Sequence, residues 1–192
     1  MARLKEFNPE ERLEKAKQLF WAKGYNATSM KDIVTATKLN PGSIYGTFGG
    51  KQALFLECLK SYATEKLAAF QQGAHMPGSP LAILENMLRK GADELLKEGK
   101  GCMVLKTTLE LGRKNKKAYA IASGQARDIV GIFESLLQRA QEAGEIAPEK
   151  DTRQLALHVY AGYNGLWQMD LLLNERLLIH TLLDQLIGSL KN

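Results

Sequence analysis

The chain has 192 residues and a mass of 21.3 kDa, with 45% apolar and 24% charged residues, a formal charge of +5 and a pI near 9.1. That is the balance of a globular protein able to bury a sizeable core without staples, and no apolar run approaches the roughly 20 residues needed to span a bilayer. A signal-peptide core is absent, Cys58 and Cys102 lie far apart, and His75, His158 and His180 are scattered, so a cytoplasmic chain with no metal, no haem, no other cofactor and no membrane partner is expected.

Asn8-Pro9 joins a helix cap to a proline suited to the first helical position, and the pattern behind it predicts a first helix from about Pro9 to Lys23. The stretch from Ala27 to Phe55 then reads as two short helices and a tight turn, followed by a third helix. Thr28 or Ser29 caps the first of these, with Asp32 placed to return a bond in a capping-box arrangement. Ile33, Val34 and the Ala36/Thr37 pair supply a short buried face. Leu39 plugs the turn, Asn40 caps the next helix, Pro41 takes its first position, and Ser43, Ile44 and Tyr45 complete one or two turns. A helix this short is not stable by itself. Neighbours must hold it, through Ile33, Leu39, Ile44 and Phe48, and its outer face is left for a partner.

A longer helix is expected from about Gly50 to about Phe70, with Leu54, Cys58, Leu59, Tyr62 and Leu67 along one face. Gly73 to Pro80 is dense in glycine and proline and marks a candidate boundary. Helical periodicity then returns over Leu81 to Lys97, Cys102 to Gly112, Lys116 to Ala143, Asp151 to Leu173 and Glu175 to Leu190. No β-alternation is found, so the fold class is all-α with about nine helices. Basic residues outnumber acidic ones ten to six up to Lys60, counting Arg3, Lys5 and Glu6, so most of the net charge lies in the segment that carries the short helices. Phosphate binding would require that bias.

Taken as a series, these residues resemble the helix-turn-helix of the tetracycline-repressor (TetR) family of bacterial transcription regulators. The series covers roughly residues 8 to 60: Ala16, Leu19 and Phe20 facing inward on the first helix, Lys23-Gly24-Tyr25 as stop and turn, and Ala27-Thr28-Ser29 opening the second. Gly42, Ser43, Tyr45 and Phe48 follow, then Lys51 and Ala53-Leu54-Phe55. Departures from the commonest family pattern are Lys38 in the turn, Pro41 where a lysine often stands, Gly46-Thr47, and Gly49-Gly50 before Lys51.

The resemblance implies a helix-turn-helix domain over residues 1–55 and an effector-binding and dimerisation domain over 56–192. Thr28, Ser29, Tyr45 and Lys51 are the expected phosphate contacts, with the Tyr45 ring packed inward. Asn40, Pro41, Gly42, Ser43 and Thr47 are expected at or beside the base edges of a double-stranded operator. One such reader touches few base pairs, so a homodimer on a palindrome is expected, paired through Leu155, Val159, Leu166, Met169, Leu172 and Leu173 of one of the last two helices and Leu178, Leu182, Leu183, Leu186 and Leu190 of the other. Met87, Met103, Tyr119, Phe133, Tyr163 and Trp167 are candidate lining residues for a small, largely apolar effector. The reading is a ligand-released repressor and not an enzyme. Its rivals are a thiol-responsive regulator sensing through Cys102, and an all-α carrier of hydrophobic ligands or enzyme, for which no nucleophile-base pair or carboxylate pair can be assembled.

Overall fold

The computed structural model describes residues 7–191; Arg3, Lys5 and Glu6, counted in the charge bias above, lie outside the described residues. These form α1 (Pro9–Lys23), α2 (Met30–Thr37), α3 (Pro41–Phe48), α4 (Lys51–Ala74), α5 (Pro80–Glu98) and α6 (Met103–Leu111), followed by a 3₁₀ turn (Gly112–Lys114). Then come α7 (Lys116–Glu142), α8 (Thr152–Leu173) and α9 (Arg176–Lys191), and no strand occurs among the described residues. The protein is all-α.

Local chemistry sets most of the boundaries. The Asn8 side chain accepts from the amides of Glu10 and Glu11 at 2.9 and 3.4 Å ahead of Pro9, and Gly24, at φ 81°, closes α1. Asp151 caps α8 by accepting from the Gln154 amide at 3.0 Å, so it stands just outside the helix it was expected to begin. Cys102 holds the corresponding place before α6. Helix α4 runs one turn beyond the expected end, to Ala74, where the Gly/Pro-rich segment stops it.

Packing groups the chain into two compact units, one built from the residues up to Thr64 with Cys102–Ala122, the other from Glu65–Gly101 with Ser123–Asn192. This grouping differs from a division at residue 55. The reason is that Met103, Val104, Ala118 and Ala122 are buried in the same cluster as Phe20, Ile33, Ile44 and Phe55. Inside that cluster Phe20 meets Phe55 edge-on at 5.2 Å between ring centroids, Trp21 meets Tyr62 at 5.1 Å, and Tyr25 tilts over Phe55 at 4.8 Å. Each such ring, once buried, contributes about 1.5–3 kcal/mol over leaving it in water, with edge contacts adding to that.

The second unit closes around Phe133, Leu136 and Leu137 of α7, Leu84 and Leu88 of α5, and Val159 and Leu183 of α8 and α9. Phe70 reaches Phe133 at 5.6 Å and Tyr163 at 6.3 Å. Gly162 is a packing glycine: a Cβ there would stand 2.7 Å from Leu186 Cδ1, so α8 and α9 approach at that point because it has none. Arg89 joins Glu85 and Asp184, at 2.7 and 2.6 Å, on the partly exposed flank of α5.

Candidate nucleic-acid interface

Ser29 and Asp32 form a full capping box at the start of α2. The Asp32 amide donates to Ser29 Oγ at 3.1 Å, and Asp32 Oδ2 accepts from the Ser29 amide at 2.8 Å and from its hydroxyl at 2.7 Å. Lys23, from the last turn of α1, adds an ion pair to the same carboxylate at 2.9 Å. These hydrogen bonds, with Lys23 behind them, hold the Asp32 carboxyl well below the usual carboxylate range. Helix α2 ends at Lys38 in the left-handed region, φ 58°, a position where glycine is the residue without steric penalty. The chain turns there in two residues, and Asn40 opens α3 by accepting from the Ser43 amide at 2.8 Å.

Helix α3 has two unlike sides. Ile44 and Phe48 are buried, and Leu39, in the turn, is buried beside them. Asn40, Pro41, Gly42, Tyr45 and Gly46 are exposed, with Ser43 and Thr47 half-buried. Gly46 has open space around the position where a Cβ would stand, so no described residue covers the helix at that point. All five residues expected at base edges therefore lie on or beside one uncovered face.

The residues expected at phosphates are placed less uniformly. Ser29 is exposed, at the end of α2 where the first amides have no intrahelical acceptor. Thr28 is fully buried and its hydroxyl donates to the Gly24 carbonyl at 2.6 Å, so it braces the α1–α2 turn instead of presenting an oxygen to a phosphate. Tyr45 is 60% exposed, a correction to the inward ring expected for it. Its ring lies along Gly50, at φ 103°, where a Cβ would come within 2.8 Å of Tyr45 Cε1; the glycine both makes the turn and admits the ring. Lys51, half-buried, sets its ammonium 4.4 Å from the Tyr25 ring centroid, and Lys31 and Lys38 are exposed.

Two contacts that sequence reasoning missed fix the α1–α2 turn from α6. Glu110 accepts from the Tyr25 amide at 3.0 Å and the Asn26 amide at 2.6 Å, and Lys106 donates to the carbonyls of Trp21 and Ala22 at 2.8 and 3.3 Å. Together they serve the carbonyls that α1 leaves open at its end and the amides of the turn that follows. Burial pushes the Lys106 ammonium's pKa down and Glu110 opposes it. Partners 84 and 85 positions apart leave no local signal in the sequence.

This geometry has relatives. Residues 13–58 match the family model described as "Bacterial regulatory proteins, tetR family", and residues 81–186 match "Tetracyclin repressor-like, C-terminal domain". The chain belongs to the TetR family. It is 29% identical over 168 residues to the HTH-type transcriptional regulator YezE of Bacillus subtilis, covering 86% of each chain. It is 30% identical over 105 residues to the HTH-type transcriptional repressor BdcR of Escherichia coli, covering 54% of this chain and 53% of that one. In fold it is similar to a TetR-family regulator, CifR, solved as a cysteine mutant complexed with 26-bp double-strand operator DNA: TM-score 0.85, 21% identity, 97% and 99% of the two chains covered. A TetR-family regulator from Agrobacterium tumefaciens gives a TM-score of 0.87 at 16% identity, over 96% and 100% of the chains. As a TetR-family chain this is a DNA-binding transcriptional regulator and not an enzyme.

The remaining expected residues of this TetR-family chain are scattered. Met87, Phe133, Tyr163 and Trp167 belong to the second unit, whereas Met103 is packed in the core of the first and Tyr119, 37% exposed, stands on the first unit's part of α7. Tyr163 and Trp167 line a closed apolar seam, too tight to admit a water molecule, with Ala92, Leu96, Leu166 and Ile179, and Asp170 supplies its one carboxylate. Of the residues expected between protomers, Val159, Leu166, Leu183, Leu186 and Leu190 are buried within the chain, Leu155, Met169, Leu178 and Leu182 are partly open, and Leu172 and Leu173 are exposed. Leu157 and Leu171 on α8, and Leu177 on α9 at 86%, are exposed besides. Cys58 is buried, and burial pushes its thiol far up, while Cys102 is half-buried. No group of three or more His, Cys, Asp or Glu suited to a metal occurs among the described residues.

Asp32 gives a pH test of the capping box. Its folded pKa is depressed, so its contribution is present above the unfolded value, near 3.9, and is lost only as pH falls through the lower folded one. The Asp32 carboxyl carbon resonance is expected to report the ionised form at about pH 3, where an ordinary aspartate is mostly protonated; a midpoint at the ordinary value contradicts the geometry.

Proposed function

We propose that the protein is a homodimeric repressor that binds a palindromic operator and is released from it by a small, largely apolar effector. The observation that carries this is the two-sided α3: Ile44 and Phe48 anchor it while Asn40, Pro41, Gly42 and Tyr45 face outward. A helix offered in this way suits the major groove, with Ser43 and Thr47 as hydroxyl partners for base edges and Ser29, Tyr45 and Lys51 reaching the flanking phosphates. The relative BdcR is named a repressor, which favours that sign of regulation.

The exposed leucines of α8 and α9 support the dimer, since an uncovered apolar patch of this kind marks an association surface. The seam beside Tyr163 and Trp167 supports an apolar effector that must open it to enter. Helix α4, unbroken from Lys51 to Ala74, then carries the change to the readers, whose spacing ceases to match successive major grooves roughly 34–36 Å apart. Effector and operator affinities oppose each other by one coupling factor.

Selection of bound duplexes from a random pool is expected to recover an inverted repeat whose binding falls steeply with salt; recovery of no common sequence, with salt-insensitive binding, contradicts the reading. Replacing Leu171 and Leu172 by lysine is expected to yield a folded monomer that has lost roughly 100-fold or more in affinity for the repeat, because two linked readers give way to one. A double variant that remains dimeric by sedimentation places the interface elsewhere.

A further inference from the structure

The turn after α6 and the first residues of α7 carry Arg113, Lys114, Lys116 and Lys117 within five residues, and the helix-turn-helix does not account for them. All four are exposed. The Arg113 guanidinium sits 5.7 Å from the Tyr119 ring centroid, whereas the three lysines make no ion pair among the described residues. They stand along an open cleft of about 640 Å³ whose other side is formed by Asn26, Gln52 and Leu56. The carboxylate in the cleft, Glu110, is already engaged by the Tyr25 and Asn26 amides.

Position adds a second argument. Lys116 and Lys117 are the first two residues of α7, whose cap is Asn115, accepting from the Ala118 amide at 3.1 Å. Cations at a helix N-terminus oppose the helix dipole, and α7 has no acidic residue in its first turn to offset them. A local rule broken with no compensating ion pair among the described residues points to a use outside the chain. The cleft also continues the reader's surface: Asn26 precedes Ser29 by three residues, Gln52 follows Lys51, and Lys51 lies over Tyr25.

We propose that Lys114, Lys116 and Lys117 form a second phosphate-binding strip that holds the DNA backbone beyond the bases read by α3. The proposal rests on the operator-binding reading above. A polyanion suits the strip better than a small anion does. The cleft is open and its ammonium groups sit on long exposed side chains, so nothing buried fixes the orientation of a small guest. A phosphate backbone needs no such fixing, because released counterions drive its binding. Contacts of this kind position the protein on the duplex and carry no sequence information of their own.

The test compares the wild type with a Lys114→Gln/Lys116→Gln/Lys117→Gln variant and with the corresponding triple arginine variant. The probes are the duplex recovered by selection, either trimmed to the repeat or carrying flanking base pairs on both sides. On the flanked duplex the dimer loses two or three phosphate contacts from each protomer, which makes the salt dependence shallower, so that between about 50 and 200 mM salt the wild type loses roughly 100- to 2,000-fold more affinity than the glutamine variant. On the trimmed duplex the two behave alike, and the arginine variant keeps the wild-type slope on both. Equal slopes for wild type and glutamine variant on the flanked duplex overturn the strip alone. An equal loss on trimmed and flanked duplexes also overturns it, since the lysines then act on the reader and not on the flank. A wild type that shows no salt-sensitive duplex binding overturns both the strip and the regulator reading.

Discussion

The structure depends on holding an eight-residue helix that cannot hold itself. Two turns of α3 gain too few hydrogen bonds to offset the ordering of their backbone, and Gly42 and Gly46 within them weaken the helix further. Buried Ile44 and Phe48 supply the missing stabilisation, a few kcal/mol between them. Leu39 fills the turn behind them, and Asn40 and Gly49 cap the two ends. Every residue on the uncovered side of α3 owes its placement to these few on the covered side.

That anchoring draws on distant parts of the chain. Met103 and Val104 of α6 and Ala118 and Ala122 of α7 share the core that receives Ile44 and Phe48. Glu110 and Lys106, also on α6, bind the turn through which α1 delivers α2 and α3. The reader is thus not a free-standing segment of the amino-terminal residues, and a shift of α6 against α1 would reach the capping box at Ser29 through Lys23 and Asp32.

Most of the helices were legible because their ends are written locally. Asn8-Pro9, Ser29 with Asp32, and Asn40-Pro41 each state a helix start within four residues, and the structure places the caps there. What periodicity does not distinguish is a stripe that faces the chain's own core from one that faces a partner. Val159, Leu166 and Leu186, expected between protomers, are interior, whereas Leu172 and Leu173 of the same stripe are exposed, as are Leu171 and Leu177, which the stripe does not include. Met103 was likewise read as a pocket residue and is core. Thr28 illustrates a different limit: a threonine hydroxyl near a helix start satisfies either a phosphate or a backbone carbonyl, and Gly24 supplies the carbonyl four residues away. The clamp from α6 was beyond any local pattern.

The central claim is that α3 is as firmly held as the helices that flank it, though it has no stability of its own. Amide hydrogen exchange on the DNA-free protein measures this directly. Protection of the α3 amides from Ile44 to Phe48 at the level of α1 and α4 is the predicted result. Exchange of those amides at the rate of an unstructured peptide, with α1 and α4 still protected, would contradict the account.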